Sequence, residues 1–253
     1  MANEADRAAR GLIAALRVLT STVPGMFEQQ AGPGVFAVVS GIPIPTLNGV
    51  VTDLTDPDVA AIDRAAAVVA PLGLPWSIQF RGEPSPAAER VAARYGLTDR
   101  TPSPLMAYDL TANPAPPARA VAAAAVVAVG PADADEYTAA LSAGFEAPLE
   151  IMTRFGSAEA LGMAGAAGYL VRDDGQAVAV GFGVFLEGTC GIFNIATAPA
   201  YRGRGYGRAV TSRIMADGIA RGAELAFLQS SDDGYPLYES MGFRTVETLT
   251  QLI

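Results

Sequence analysis

The chain has 253 residues, of which 51% are apolar and 17% are charged, and its formal net charge is −9. This length fits one large domain or two ordinary ones, and the apolar content supports a packed core. The sequence holds no histidine, no lysine and a single cysteine, Cys190, so all 17 basic residues are arginine. This composition excludes Ser-His-Asp triads, Cys-His pairs, lysine Schiff bases and zinc sites built from histidine or thiolates, and we expect no metal.

Composition also sets expectations about the surroundings of the protein. A lone cysteine forms no internal disulfide, which favours a reducing, cytoplasmic location. The first ten residues carry mixed charge without an apolar run, and no window approaches 18 uncharged apolar residues, so we expect neither a signal peptide nor a membrane span. Net acidity argues against nucleic-acid binding and favours cationic or neutral small partners. The oligomeric state stays open.

The first half of the chain alternates predicted helices and strands. Asp56 and Pro57 are predicted as the N-cap and first residue of a helix, because both residue types favour those positions. Trp76 and its apolar neighbours are interpreted as core. The predicted helices are 4–19, 56–70 and 86–95, and the predicted strands are 35–40, 49–52, 74–80 and 104–110.

A proline-rich segment divides the chain. Residues 111–120 read TANPAPPARA, and three prolines within four positions fit neither a helix nor a central strand. We therefore predict a first domain over 1–113, a linker over 114–119 and a second domain over 120–253.

The second half has clearer periodicity and reads βααβββαβαβ. This order predicts an α/β (α+β) domain in which a mixed sheet is flanked by helices. The predicted strands are 121–129, 168–172, 176–186, 189–197, 225–230 and 243–249, and the predicted helices start at Pro131 and cover 149–164, 207–221 and 235–241.

The two halves share a pattern that suggests duplication. Asn48 and Asn194 each precede a helix, a strand, a second helix and a last strand at similar spacings. The first copy is shorter and reads TDLTDPDVA where the second reads TAPAYRGRGYG, so we expect the glycine-rich loop in the second copy alone. Strand–helix–strand runs also occur in unrelated α/β domains.

The segment 197–208, TAPAYRGRGYGR, carries the predicted chemistry. Its glycines follow a strand and open a helix, where free N–H groups and the helix dipole favour an anion such as a diphosphate. Three arginines add positive charge at the same place. It is not a dinucleotide fingerprint, because the G-x-G-x-x-G spacing is absent.

Two motifs resemble the GNAT superfamily of N-acetyltransferases. The segment 202–207, RGRGYG, is similar to that family's coenzyme A loop, R/Q-x-x-G-x-G/A, and 237–243, LYESMGF, is similar to its L-Y-x-x-x-G-F signature. The resemblance covers about 120–253. More loosely, the whole chain resembles bacterial two-domain members with a degenerate N-terminal copy, which implies two GNAT-like domains, each with a mostly antiparallel sheet.

The resemblance implies roles for individual residues. Tyr238 would be the general acid that returns a proton to the departing thiolate. Ser231 stands where many relatives have a pantetheine-binding asparagine, and Gly191 stands where some carry a glutamate base. The implied acetyl-CoA-binding residues are Ile195, Ala196, Thr197, Arg202, Gly203, Arg204, Gly205, Tyr206, Gly207, Arg208 and Ser231.

Other candidates are weaker. Glu146, Glu150 and Glu187 are considered as bases, although each is typical of a solvated surface charge. Cys190 is considered as a nucleophile, but a free cysteine on a strand is typically a small buried hydrophobe.

The resemblance implies an N-acetyltransferase that moves an acetyl group from acetyl-CoA directly to a primary amine of a small molecule or peptide. The alternative is a non-catalytic acyl-CoA-binding sensor or assembly protein. Ser231 and the missing base position motivate this alternative.

Overall fold

The computed structural model describes residues 3–113, 116 and 126–253. They form two compact units. The first unit comprises residues up to Met106 together with 229–231 and 245–253, and the second comprises the rest from Ala107 to Arg244. The C-terminal segment therefore belongs to the first unit. Most of the predicted linker and residues 121–125 of a predicted strand lie outside the described residues, and the domain limits 1–113 and 120–253 stay a prediction.

The first unit pairs an antiparallel β-meander with a parallel crossover. Strands β1 to β3 are antiparallel, β4 runs parallel to β3, and β11 pairs antiparallel with β4, with Gln251 opposite Gln79. The elements are α1 (Glu4–Thr22), β1 (Phe27–Gly32), β2 (Val35–Val39), β3 (Asn48–Thr52), α2 (Val59–Val69), β4 (Ser77–Arg81), α3 (Pro86–Arg94), β5 (Arg100–Asp109, whose last three residues belong to the second unit) and, at the end of the chain, β11 (Arg244–Leu252).

Local capping explains where these helices begin. The predicted N-cap Asp56 is wrong by two residues, because the Asp58 side chain accepts a hydrogen bond from the Ala60 N–H and the helix begins at Val59. One face of β4 packs with α2 and α3 through Ile78 and Phe80, and Trp76 joins this core as expected.

The second unit holds a five-stranded sheet in the order β10-β9-β8-β7-β6. All pairs in it are antiparallel except β9 with β10, which is parallel. The elements are β6 (Val126–Val129), α4 (Ala134–Phe145), α5 (Leu149–Met152), α6 (Ala158–Leu161), β7 (Ala166–Asp173), β8 (Gln176–Leu186), β9 (Thr189–Thr197), α7 (Tyr206–Ala220), β10 (Leu225–Gln229) and α8 (Tyr235–Ser240).

The single helix predicted over 149–164 is wrong. The structure has two short helices, α5 and α6, with a turn around Gly156 between them. A Cβ at Gly156 would lie 2.2 Å from the Thr138 hydroxyl, so the chain passes too close to α4 for a side chain there. Packing against α4, which sequence periodicity does not report, breaks the helix.

Strand β9 changes its pairing along its length. Its parallel partners on β10 run from Thr189 with Leu225 to Gly191 with Phe227, and β9 then continues to Thr197. On its other edge the register with β8 shifts at a bulge, where Asn194 adopts a positive φ of 54°. The end of β9 has therefore left β10, which leaves its main-chain groups on that edge for other partners.

The fold class is confirmed as mixed α/β with mostly antiparallel sheets flanked by helices. The units share one order of elements, β2-β3-α2-β4 in the first and β8-β9-α7-β10 in the second, each ending on a parallel pair. Duplication predicts this repetition, and common origin stays a prediction. None of the helices in the described part of the chain is both long and apolar enough to cross a membrane.

Candidate functional site

The start of α7 presents unpaired main-chain donors. Within the described residues, no acceptor takes a hydrogen bond from any N–H between Gly203 and Arg208. Gly205 is the N-cap and offers no side-chain acceptor, and the first turn of α7 holds no acidic residue. These donors and the positive end of a 15-residue helix favour an anion.

The loop before α7 depends on two glycines for its shape. Gly203 and Gly205 have φ of 76° and 92°, the left-handed region that side chains disfavour. Left-handed residues in such a turn direct successive N–H groups toward one concave point, which is how main chain binds phosphate.

Arg202 holds the loop in place. Its guanidinium donates to the Thr197 carbonyl at 3.1 Å, to the Gly144 carbonyl at 3.0 Å and to the Glu146 carboxylate at 2.8 Å. Its contacts therefore tie the loop to the end of β9 and to the C-terminus of α4. The predicted role of Arg202 in binding the coenzyme directly stays a prediction.

Tyr206 and Arg204 contact the β7–β8 hairpin. The Tyr206 hydroxyl donates to Asp173 at 2.7 Å, and the guanidinium of Arg204 lies 3.7 Å from the same carboxylate and 4.9 Å from the Tyr201 ring. The hydrogen bond to Asp173, together with desolvation, raises the pKa of Tyr206. The Tyr206 side chain thus anchors the helix start, while its main-chain N–H remains unpaired.

Gly207 brings the predicted segments together. A Cβ there would lie 3.3 Å from Leu237, 3.7 Å from Ile195 and 3.9 Å from the Thr197 hydroxyl. Nearby, Arg208 donates to the Ser240 hydroxyl at 2.5 Å. The loop motif, the end of β9 and the LYESMGF motif therefore meet at the start of α7, as the resemblance implies.

The end of β9 packs tightly against α4. A Cβ on Gly144 would lie 2.7 Å from that of Ala196 and 3.1 Å from the Thr197 nitrogen. Ala196 is buried, whereas Ile195 and Thr197 are partly exposed. This contact fixes the strand end beside the unpaired donors of the loop.

Tyr238 lies on α8 with most of its ring buried. It is 8% exposed, and its ring meets that of Phe243 edge to face at 5.9 Å. Its hydroxyl makes no hydrogen bond with the described residues, and burial raises its pKa to about 12. The phenol is therefore held neutral and can donate a proton.

The structure places the remaining predicted residues in different surroundings. Ser231 belongs to the first unit, so the residues described around α7 do not include it. Glu146 is paired with Arg202, and Glu187 lies in the turn before β9, at the opposite end of that strand from Thr197. Glu150 is exposed on α5.

Cys190 is a packing residue. It is fully buried against α7, its thiol lies 3.7 Å from the Ile214 carbonyl oxygen, and burial raises its pKa. A neutral thiol enclosed in this way is a poor nucleophile.

Sequence reasoning gave no individual role in this site to three contributors, although Leu237 lay within the LYESMGF motif and Asn194 within the repeated pattern. Asp173 anchors Tyr206, Asn194 forms the bulge in β9, and Leu237 packs on Gly207. A positive φ at asparagine and an aspartate before a turn are common features, so their sequence signals were too weak to single them out. Across the described residues, no three His, Cys, Asp or Glu side chains come together as a metal ion would require.

A model of one protein family matches part of the chain. Residues 165–245, which include β9, the loop, α7 and Tyr238, match the model of the "Acetyltransferase (GNAT) domain". The match spans about a third of the chain, so this segment is similar to a GNAT acetyltransferase domain, and the similarity favours an acyltransferase. Acetyl-CoA is the donor that this family typically uses.

Solved structures show the same fold over more of the chain. A GCN5-related N-acetyltransferase from Kribbella flavida aligns with 97% of this chain and 94% of its own length, at a TM-score of 0.65 and 20% identity. A functionally unknown conserved protein from Staphylococcus epidermidis aligns with 85% of this chain and 89% of its own, at 0.58 and 11% identity. A GCN5-related N-acetyltransferase from Sphaerobacter thermophilus aligns with 70% of this chain and 59% of its own, at 0.51 and 19% identity. A search of curated proteins gave no match.

Proposed function

We propose that this chain transfers an acetyl group from acetyl-CoA directly to a primary amine of a small molecule or peptide. The observation that carries the proposal is the run of unpaired N–H groups from Gly203 to Arg208 at the start of α7. A diphosphate suits these donors in charge and in hydrogen-bonding capacity. The domain match over 165–245 supports the same donor substrate.

The end of β9 would hold the arm that links the diphosphate to the thioester. Beyond Gly191 this strand is no longer paired with β10, and Ile195 and Thr197 lie against Gly207. Main-chain groups here would orient the arm and, through N–H donors, polarise the thioester carbonyl. Catalysis would rest mainly on bringing the amine to that carbonyl.

Tyr238 would supply the proton for the leaving thiolate. In the transfer, the amine nitrogen forms a bond to the acyl carbon, the carbon–sulfur bond breaks, and the thiolate takes a proton from the phenol. The nitrogen loses one proton as the amide forms, and water carries a proton back to the phenolate. The buried, neutral phenol suits this role. No carboxylate of this chain is assigned as base, since an amine that arrives neutral needs none.

The start of α2 supports a single coenzyme site per chain. There the Asp58 carboxylate accepts a hydrogen bond from the Ala60 N–H, so a fixed negative charge lies where an anion would bind. At α7 no side chain caps the helix. We therefore expect calorimetric titration to give one acetyl-CoA per chain, and a stoichiometry of two would contradict this part of the proposal.

Thiol release from acetyl-CoA across a panel of amines tests transfer itself. Release that depends on an amine and is lost in Tyr238→Phe supports the enzyme. Tight binding of acetyl-CoA with no release from any amine would instead support the non-catalytic sensor. The ion pair between Glu146 and Arg202 supports this alternative, because it occupies the carboxylate of one candidate base.

A further inference from the structure

Three glutamine side chains meet on the first unit's sheet. Gln79 lies on β4, Gln251 on β11 and Gln229 at the end of β10. The carbonyl oxygen of Gln79 accepts from the Gln251 amide at 3.0 Å and from the Gln229 amide at 2.9 Å, and Gln229 also lies 3.4 Å from the Ser103 hydroxyl. We call Gln79, Gln229 and Gln251 the glutamine cluster.

The glutamine cluster lies on the sheet face opposite the main core. Ile78 and Phe80 alternate with Gln79 along β4 and face α2 and α3, so Gln79 faces the other side. On that side α1 covers Phe36, Val38 and Val51, and Val51 is the β3 neighbour of Gln79. The cluster therefore begins where the apolar cover of α1 ends.

Hydrogen-bonding capacity is left over in the cluster. Both lone pairs of the Gln79 oxygen are used, but its amide nitrogen and the oxygens of Gln229 and Gln251 have no partner among the described residues. The fully enclosed side-chain polar atoms that lack a partner in the described chain are Asp53 Oδ1 and Ser212 Oγ. The spare atoms of the cluster are therefore not fully enclosed, although Gln79 and Gln251 are only 8% and 6% exposed.

The nearest positive charge along β4 is already paired. The Arg81 side chain is 5% exposed and donates to Asp6 and to Glu247, and the two carboxylates leave this group with one excess negative charge. The glutamines themselves offer neutral donors and acceptors, and the nearby negative charge disfavours an anionic ligand. This arrangement suits a neutral group that both donates and accepts.

We propose that the glutamine cluster binds a neutral amide group, in the form of a primary carboxamide or a peptide bond. The Gln79 amide nitrogen would donate to the ligand's carbonyl, and the Gln229 and Gln251 oxygens would accept from its N–H groups. The inference rests on the first unit alone and does not depend on acetyl transfer.

Titration with small amides, followed by NMR of the glutamine side-chain NH₂ signals in the full chain, tests this. N-acetylglycinamide, which ends in a carboxamide, and N-acetylglycine N-methylamide, which has peptide bonds only, are the probes. Saturable shifts of the Gln79 and Gln251 signals with either probe support the site, and the tighter probe identifies the form of amide. N-acetylsarcosine dimethylamide, which has no N–H, should not bind.

Variants separate ligand binding from a structural role. Gln79→Met and Gln251→Met keep the side-chain volume, and each should raise the Kd for the better probe about tenfold, which corresponds to about one hydrogen bond. Gln29→Met, on an exposed position of β1, is the matched control and should leave the Kd unchanged. Binding of the dimethylamide equal to that of the probes, or an unchanged Kd in both cluster variants with only their stability lowered, would overturn the inference, whatever the outcome for acetyl-CoA.

Discussion

Replacing Tyr238 with phenylalanine removes only the hydroxyl group and keeps the ring. The ring is 8% exposed and packs edge to face on Phe243, and phenylalanine retains both features. Since the hydroxyl makes no hydrogen bond with the described residues, its removal leaves no partner unpaired. We expect the free energy of unfolding to change by less than about 1 kcal/mol.

The effect on transfer should be far larger. A positioned general acid contributes about 10²- to 10⁴-fold to rate, or about 2.7 to 5.5 kcal/mol of transition-state stabilisation. The assay is thiol release from acetyl-CoA with an acceptor amine, with binding of acetyl-CoA measured in parallel by calorimetry. We expect the Kd for acetyl-CoA to change little, because the phenol acts on the sulfur only as it departs.

The pKa of Tyr238 sharpens this prediction. At about 12 the phenol is protonated over the working range, so the pH profile of the unaltered protein should show no falling limb from this group below about pH 10. An ordinary thiol has a pKa of about 8.5, so giving it a proton from this phenol is uphill by about 5 kcal/mol in water. Burial offsets the mismatch in part, because it raises the pKa of an enclosed thiol, as it does for Cys190.

Two results would refute this reasoning. Activity of Tyr238→Phe within twofold of the unaltered protein would show that another group or water protonates the thiolate. A large loss of stability would show that the hydroxyl has a structural partner. Tyr201→Phe is the matched control, since it removes a partly exposed phenol that donates to Gln176, and it should leave release unchanged.

Two further substitutions test the loop and the first unit. Gly205→Glu should abolish acetyl-CoA binding in calorimetry, whereas Gly188→Glu, at a similar positive φ of 71° in the turn before β9, should not; equal effects would point to backbone strain alone. Arg81→Met should lower the free energy of unfolding in urea by about 2 to 3 kcal/mol, because it removes charge-assisted hydrogen bonds to the partly buried carboxylates of Asp6 and Glu247, and exposed Arg94→Met should cost less than about 1 kcal/mol. The hydrogen bond from Arg81 lowers the pKa of Asp6. The stabilisation from this pair is therefore present above the usual carboxyl pKa and should be lost as pH falls through the lowered pKa of Asp6. A destabilisation by Arg81→Met that does not shrink in acid would contradict the pairing of Arg81 with Asp6.

Strands with short turns were the part of the fold that sequence predicted best. The limits of β8 and β9 agree with the prediction, because residues 173–175, DDG, and the Gly188 turn separate runs of apolar and β-branched residues. Strand β1 was missed, since FEQQAG is half polar and has little alternation. Its register comes from pairing with β2, which is a tertiary feature.

The position of β11 shows a different kind of limit. Sequence predicted the last strand well enough, but assigned it to the second domain by its place in the chain. The structure pairs Gln251 with Gln79 and Leu252 with Ile78, in the first unit. Pattern and propensity report that a strand exists, whereas the choice of partner depends on surfaces contributed by distant residues.

At the candidate site, the sequence predicted the residue types but not which of their side chains are paired within the protein. The three arginines of the loop suggested direct charge for a diphosphate, yet Arg202 pairs with Glu146, and Arg204 lies near Asp173. Much of their charge is therefore compensated within the loop's own scaffold. Under the proposed function, the unpaired N–H groups from Gly203 to Arg208 would then be the principal anion-binding feature.

This division of roles would explain how a chain without lysine could hold the proposed diphosphate. Main-chain N–H donors carry no titratable charge, and amino-acid composition does not reveal them. Their availability depends on conformation, here on the positive φ of Gly203 and Gly205 and on the absence of a capping side chain. At α2 the corresponding donors meet Asp58, whose charge would repel the same ligand. One chain thus contains a helix start that satisfies itself and another that requires a partner, and the difference lies in the capping residues and in the turn that precedes each helix.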